Sequence, residues 1–407
     1  GLNFLPIPVN SVTNEQAWVH ESRLVSNFEG PFQFIAGVYY EDTARPFTSQ
    51  SLIENFNATL GFALLPVTPL GDNYYVVRST RDQTQFAAFG EATYTFFEDL
   101  DVTGGLRYFK FESDTTDAFS GYAFTGVPAL QPGHAEEDGV NPKATIAYRA
   151  GEDSLIYATA SRGFRPGNAN IPLPASCNAS LIAAGITPPA STSFDSDSVW
   201  NYETGFKTEW LDGRVAFSAA AFYMDWKDMQ VGVPLPSCRI QGFIVNAGDA
   251  RSVGAEIELS ARPIDGLSLN VAGSYMDSEL TEDSTVLASA SGTDLLFIPH
   301  WTWSGSAQYT FAVGGATDAY LRGDVKYRDQ TNLNYAGTSQ TDSYAQIDLR
   351  AGLEGEMGDS SWEAAIFVEN LTDEMPILSR DPRPVLGGDT VTSIEPRKIG
   401  IGLTISY

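Results

Sequence analysis

The sequence predicts an all-β chain that crosses a membrane as part of an antiparallel β-barrel. Three observations carry that prediction: alternation with a period of two, patterned runs too long for an ordinary sheet, and no apolar run long enough for a helical span. The alternation is cleanest at the C-terminus, where Ile399, Ile401, Leu403, Ile405 and Tyr407 interleave with Lys398, Gly400, Gly402, Thr404 and Ser406. It returns in Ala345, Ile347, Leu349, Ala351 and Leu353 against Gln346, Asp348, Arg350, Gly352 and Glu354, and again in Val253, Ala255, Ile257, Leu259 and Ala261. In a chain that is 43% hydrophobic, five alternate positions are all apolar by chance only about 1–2% of the time. Run length separates a barrel from a soluble sandwich, whose strands average about five or six residues, because the patterned runs here last about ten to fifteen. Without a helical span, a chain in hydrocarbon must close its backbone hydrogen bonds between strands.

Taken in order, the predicted strands are 16–29, 32–44, 80–97, 101–117, 138–149, 153–163, 197–211, 213–230, 249–262, 266–280, 296–312, 317–330, 341–356, 360–372 and 394–407. Very short turns, such as Glu29-Gly30-Pro31, Glu98-Asp99-Leu100 and Leu211-Asp212-Gly213, are interleaved with long polar connections. That asymmetry marks a rim of periplasmic turns and a rim of extracellular loops. Single-chain bacterial barrels use even strand numbers, so an odd list implies a further strand before the first or one miscounted. Tyr94, Phe96, Phe97, Trp210, Trp301 and Trp303 fall near strand ends, where they are expected to form interfacial girdles or ordinary cross-strand packing. Sliding the strand around Leu349 by one residue would aim Asp348, Arg350 and Glu354 at lipid. A basic residue at the midplane costs roughly 2–4 kcal/mol, so the register is fixed by energy.

The net charge is −27, from 51 acidic and 24 basic residues. It argues against nucleic acid as a partner. It is compatible with outer-membrane lipid and lipopolysaccharide, where divalent cations could bridge carboxylates to lipid phosphates or the acids could simply be solvated. The chain opens at Gly1 with no Met, basic n-region or apolar h-region; a removed signal peptide or a longer parent polypeptide accounts for that, and the second is favoured. Cys177 and Cys238, both in Pro-rich segments, are the only cysteines. They are expected to form one disulfide, with two unpaired buried thiols as the alternative.

Several segments together resemble the barrel domain of TonB-dependent outer-membrane receptors. Ser161-Arg162-Gly163-Phe164-Arg165-Pro166-Gly167-Asn168 is similar to the family's strand-to-loop signature, and Asn201-Tyr202-Glu203-Thr204-Gly205-Phe206-Lys207 to its "E-x-G-x-K" strand. Asn246-Ala247-Gly248 through Val253-Gly254-Ala255-Glu256, then Val368-Glu369-Asn370-Leu371-Thr372-Asp373-Glu374 and Glu395-Pro396-Arg397-Lys398-Ile399-Gly400, follow in the family's order. The resemblance thins toward the N-terminus. It implies a 22-stranded barrel in a Gram-negative outer membrane, of which residues 1–407 would be about the last two-thirds of the wall. It also implies an N-terminal plug whose coupling peptide meets TonB; neither plug nor peptide is visible here. Tyr407 is similar to the aromatic ending that marks such barrels for membrane insertion, and a plain interfacial anchor is the alternative.

A catalytic reading fails on inventory, since His20, His134 and His300 are the only histidines and none sits in a nucleophile or metal-binding motif. No cofactor is called for. Binding is expected in the loops and upper lumen. The candidates are Arg165, Asn168 and Asn170 after the loop signature, Arg239 and Phe243 beside Cys238, Asn332, Asn334 and Tyr335 above another strand pair, and Arg380 and Arg383 in the last loop. Each is weighed against a solvated or lumen-lining role, and Arg165 against hydrogen bonding to neighbouring loops. The resemblance puts a ferric siderophore first as small-molecule cargo, with cobalamin, saccharides or other scarce nutrients behind it. A passive porin-like channel and a surface-binding protein without transport are the alternatives.

Overall fold

A computed structural model of the protein describes residues 9–52, 73–120, 130–170, 173, 175–235, 240–358, 360–383 and 388–407. The wall is one antiparallel sheet of 16 strands. Its members, in chain order, are β1 (Val9–Thr13), β2 (Gln16–Val25), β3 (Phe32–Leu52), β4 (Asn73–Phe96), β5 (Leu100–Ser120), β6 (Leu130–Arg149) and β7 (Ser154–Arg165). After the two-residue strands β8 (Asn168–Ala169) and β9 (Ser193–Phe194) come β10 (Asp197–Trp210) and β11 (Val215–Lys227). A loop hairpin, β12 (Gln230–Leu235) with β13 (Ile240–Asn246), precedes β14 (Ala250–Ala261), β15 (Leu267–Leu280), β16 (Trp301–Gly314), β17 (Thr317–Arg328), β18 (Tyr344–Met357) and β19 (Ser360–Glu369). A second loop hairpin, β20 (Ser379–Arg383) with β21 (Gly388–Thr392), leads to β22 (Lys398–Ser406). From β3 to β22 each wall strand pairs with the next, while β1 and β2 both lie along β3. All the predicted strands are therefore present in sequence order.

Residues directly opposite one another in an antiparallel pair point to the same face, so the register traces each face across the sheet. Ile401, Ile366, Ala351, Leu321, Tyr309 and Leu267 form one unbroken cross-strand row. Its bulky members stand exposed, Ile401 at 85%. Five residues away along each shared strand, an odd step, Gln346, Lys326, Ser304, Ala272, Glu258, Ser218 and Lys207 form a row on the opposite face. One face is greasy and unpacked, the other polar. In a closed wall they meet lipid and lumen respectively. A shallow groove of about 750 Å³ on the greasy face lies between Phe311, Leu321, Leu353, Ile366 and Ile401; it belongs to the hydrocarbon side and is no cargo pocket.

The polar face is laced by pairs that a lipid-facing register would strand: Lys143 to Glu91 at 3.0 Å, Arg149 to Asp101 at 2.6 Å, Arg350 to Glu363 at 2.9 Å. Tyr320 donates its hydroxyl proton to Glu363 and accepts from Arg350 Nε at 2.6 Å. Glycine supplies a second device. Gly37, Gly139, Gly205, Gly254, Gly273, Gly352 and Gly400 each stand directly opposite an aromatic residue, namely Phe89, Phe109, Tyr157, Phe222, Trp303, Tyr320 and Phe367. The ring lies over the glycine, so a Cβ at Gly205 would come within 2.5 Å of Tyr157.

The short connections, among them 97–99, 211–214 and 315–316, gather at one rim. Phe97, Glu98, Leu211 and Asp212 all have positive φ there, the conformation that lets a tight hairpin follow the strands' twist. Tyr94, Phe96, Trp210, Trp301 and Trp303 are exposed on the outer face as expected of girdle residues. Strands β3 to β6 run well past their expected ends on the other rim, to Leu52, Asn73, Ser120 and Leu130. The extensions at 45–52 and 130–137 carry no unbroken apolar alternation, so the hydrophobic period does not register them. Among the described residues no helix is long and apolar enough to cross a membrane.

Candidate extracellular binding cap

The long connections 166–196, 228–249, 281–300 and 329–343 pack on one another above the wall, and a buried carboxylate sits at their centre. Asp197, the first residue of β10, is 2% exposed and lies opposite Arg165, the last residue of β7. Arg165 donates from Nε to both carboxylate oxygens at 3.0 Å and from Nη2 to Oδ2. Trp226 Nε1 donates to the same carboxylate at 2.9 Å, and the backbone N–H of Gln230 at 3.1 Å. The Arg165 guanidinium also lies over the Trp226 ring, 5.0 Å from its centroid. Burial pushes the Asp197 carboxyl up, but the bonds from Arg165, Gln230 and Trp226 outweigh it and hold the pKa below the usual value.

Two further side chains stitch the loops through backbone groups. Gln230 Nε2 donates to the carbonyls of Pro166 and Asp195, each at 3.1 Å. Asn246 Nδ2 donates to the Asp195 and Asp228 carbonyls, and its Oδ1 accepts from the Asp195 N–H at 2.9 Å. Apolar packing fills the space between. Cys177, Leu181, Val233, Leu235 and Phe243 form one buried cluster, joined by Ile186, Val245 and Val286. Met229, Ala250, Leu280 and Leu295 form a second, joined by Trp226, Val231, Ile298 and Tyr335. Cys177 is fully buried and disulfide-bonded; Cys238 lies outside the described residues.

The predicted binding residues divide by how much of their chemistry this packing uses. Asn170 is buried and makes a reciprocal pair with Ile244, donating to its carbonyl at 2.7 Å and accepting from its N–H at 3.0 Å. Asn168 is buried too and caps the Ala169 N–H at 2.7 Å. Phe243, at 2% exposure, is core rather than surface. These three side chains are thus packed within the cap. Asn332 is half-buried, donates to Asp294 at 3.2 Å and accepts from Gln340 at 2.8 Å. Asn334 closes its own turn with Thr338, and Tyr335 packs on the second cluster, where burial raises its pKa. Arg165 remains half-exposed while engaged with Asp197. Arg380 is exposed on β20, the backbone of Arg383 lies on the same strand, and Arg239 lies outside the described residues. Tyr407 is fully exposed at the short-turn rim.

Sequence reasoning missed Asp197, Trp226 and Gln230, and read Asn246 only as part of a family motif; together these four hold the cap. The available signal was a carboxylate placed symmetrically with Arg165 across two strands whose register the motifs already anchor.

Comparison with known proteins places these features. The family model described as "TonB dependent receptor-like, beta-barrel" matches residues 4–371. The metal-pseudopaline receptor CntO of Pseudomonas aeruginosa is 27% identical over 267 residues, covering 65% of this chain and 33% of that protein. The pesticin receptor of Yersinia pestis is 26% identical over 336 residues, covering 80% and 43%. Among solved structures, the ferric yersiniabactin uptake receptor FyuA from Yersinia pestis superposes with a TM-score of 0.76 at 21% identity, covering 98% of this chain and 55% of that one. The ferric preacinetobactin receptor BauA from Acinetobacter baumannii gives 0.69 at 16% identity, with coverage of 98% and 55%. The chain thus spans a third to about half the length of these proteins.

Proposed function

The chain belongs to the TonB-dependent receptor-like β-barrel family, and from that premise we propose that it serves a nutrient import receptor of the outer membrane, with a ferric siderophore as cargo. The carrying observation is the family match over residues 4–371. Its location in a Gram-negative outer membrane follows from the family and from the greasy outer rows of the wall. The polar inner face offers Glu91, Lys143, Arg350 and Glu363 to whatever fills the lumen, and a plug domain coupled to TonB is the partner this reading requires. The cap supplies the extracellular surface on which cargo would first be held. A relative named for metal-pseudopaline, and structures titled for ferric yersiniabactin and ferric preacinetobactin, support metal complexes over other nutrients. Import rather than catalysis is the activity.

The test is uptake by intact cells. Deleting the full gene should abolish accumulation of radiolabelled iron from at least one member of a panel of ferric siderophores, and removing TonB should abolish the same uptake. Unchanged uptake of every complex in the deletion strain would overturn the cargo. Uptake lost on gene deletion yet indifferent to TonB would instead point to a passive channel.

A further inference from the structure

We propose that Glu112, Asp114 and His134 form a binding site for a borderline divalent cation of the Zn²⁺ class on the outer surface of the extracellular strand extensions. Glu112 and Asp114 are two apart on β5, and so share a face; His134 stands directly opposite Asp114 on β6. One donor atom from each lies within 4.8 Å of the others, and His134 Nδ1 is 2.8 Å from Asp114 Oδ1. The face is the exposed one: side-chain exposures are 54% for His134 and 66% for Asp114. Tyr108, on the same face of β5, belongs to the outer apolar belt. Six residues further along a tilted strand places Asp114 roughly 15 Å beyond it, outside the hydrocarbon.

Charge argues that these ladders need a cation. Glu112 is paired across the sheet with Glu136, and Asp114 with Asp82 on its other side; like charges directly opposite are destabilising. Lys110 offsets part of this charge, at 2.5 Å from Glu136 and within electrostatic reach of Glu112, and Asp114 keeps the imidazole. The imidazole sets the chemical class. Carboxylates alone would suit Ca²⁺ or Mg²⁺, whereas a neutral ring nitrogen beside two carboxylates favours Zn²⁺ and its neighbours, leaving open positions for water. Two paired strands with fixed register hold the three backbone positions, and a cation would replace the contact between His134 Nδ1 and Asp114 Oδ1. The site is independent of the cargo and of the import reading.

Calorimetric titration of the full-length protein in detergent with Zn²⁺ alone tests it. His134→Ala and Asp114→Asn should each weaken Zn²⁺ binding at least tenfold, while Glu136→Gln and the double variant His20→Ala/His300→Ala should bind as the wild type does. Heat-modifiable gel mobility, expected to be unchanged in every variant, reports that the barrel is folded. A wild type that titrates like His134→Ala, or binding that disappears with His20 and His300 instead, would overturn the proposal.

Discussion

Asp197 shows how little of a residue's role its neighbours in sequence reveal. Arg165 stood out because it lies within a strand-to-loop motif; its partner did not, because Asp197 opens β10 with nothing but register to connect them. The carboxylate accepts from three different residues while almost wholly buried. Replacing it by Ala leaves the Trp226 Nε1 and the Gln230 N–H without their acceptor, at a cost of about 1–3 kcal/mol per unsatisfied buried group, and releases the half-exposed guanidinium. Asp197→Ala is therefore expected to raise amide exchange in 166–170 and 228–246 by one to two orders of magnitude while leaving β15 to β19 unchanged. Uniform exchange across the chain would contradict a local role. The pH dependence has a definite sign. A depressed carboxyl pKa gives stabilisation that is complete above the unfolded value, about 3.9 for Asp, and is lost only as pH falls through the lower, folded value. Cap protection should thus stay level from neutral pH down to that range and collapse below it.

At the scale of elements, strands were legible and loops were not, for one physical reason. A strand between lipid and water repeats its instruction at every second residue, so β18 declares itself from Ala345 to Leu353; a loop that packs on other loops has no period to read. Hence β12 and β13, the clusters around Phe243 and Leu280, and the polar extensions of β3 to β6 escaped notice. The cysteines were the exception, because Cys177 could be picked out by residue type alone. With two cysteines in the chain, we expect a non-reducing peptide map to yield a Cys177–Cys238 cross-link. Closing a loop of that length stabilises by on the order of 4 kcal/mol in the chain-entropy model, so reduction should expose the cap to protease before the wall. The glycine and aromatic pairs make a second prediction about elements. At Gly352 a Cβ would meet the Tyr320 ring, which in turn bonds Arg350 and Glu363. Gly352→Val must push that ring aside, and is expected to cost about 1–3 kcal/mol, read as a lower temperature for heat-induced mobility shift. Gly104, with no atom near its Cβ position, is the control whose Ala variant should shift little.

The molecule as a whole is a surface with two solvents, and its largest energy term is the difference between them. Each wall strand places one parity of its residues on the greasy face and the other on the polar face, and cross-strand register carries both parities from β3 to β22, with one-residue shifts only at strand ends, at Ser51/Leu52 and Ala312/Gly314. A charge is therefore cheap or costly according to parity alone, even between neighbouring strands of similar composition. Leu349 lies near the middle of β18 on the greasy face, exposed and opposite Gly323 and Val368. Ser306 lies near the middle of β16 on the polar face, opposite Asp324 and Asn270. Leu349→Arg puts a guanidinium close to the bilayer midplane and should destabilise the fold in lipid vesicles by roughly 2–4 kcal/mol. Ser306→Arg puts the same group in water beside a carboxylate and should change it by less than about 1 kcal/mol. Equal losses at the two positions would mean that the two faces share one environment, and the assignment of lipid and lumen would fall with that result.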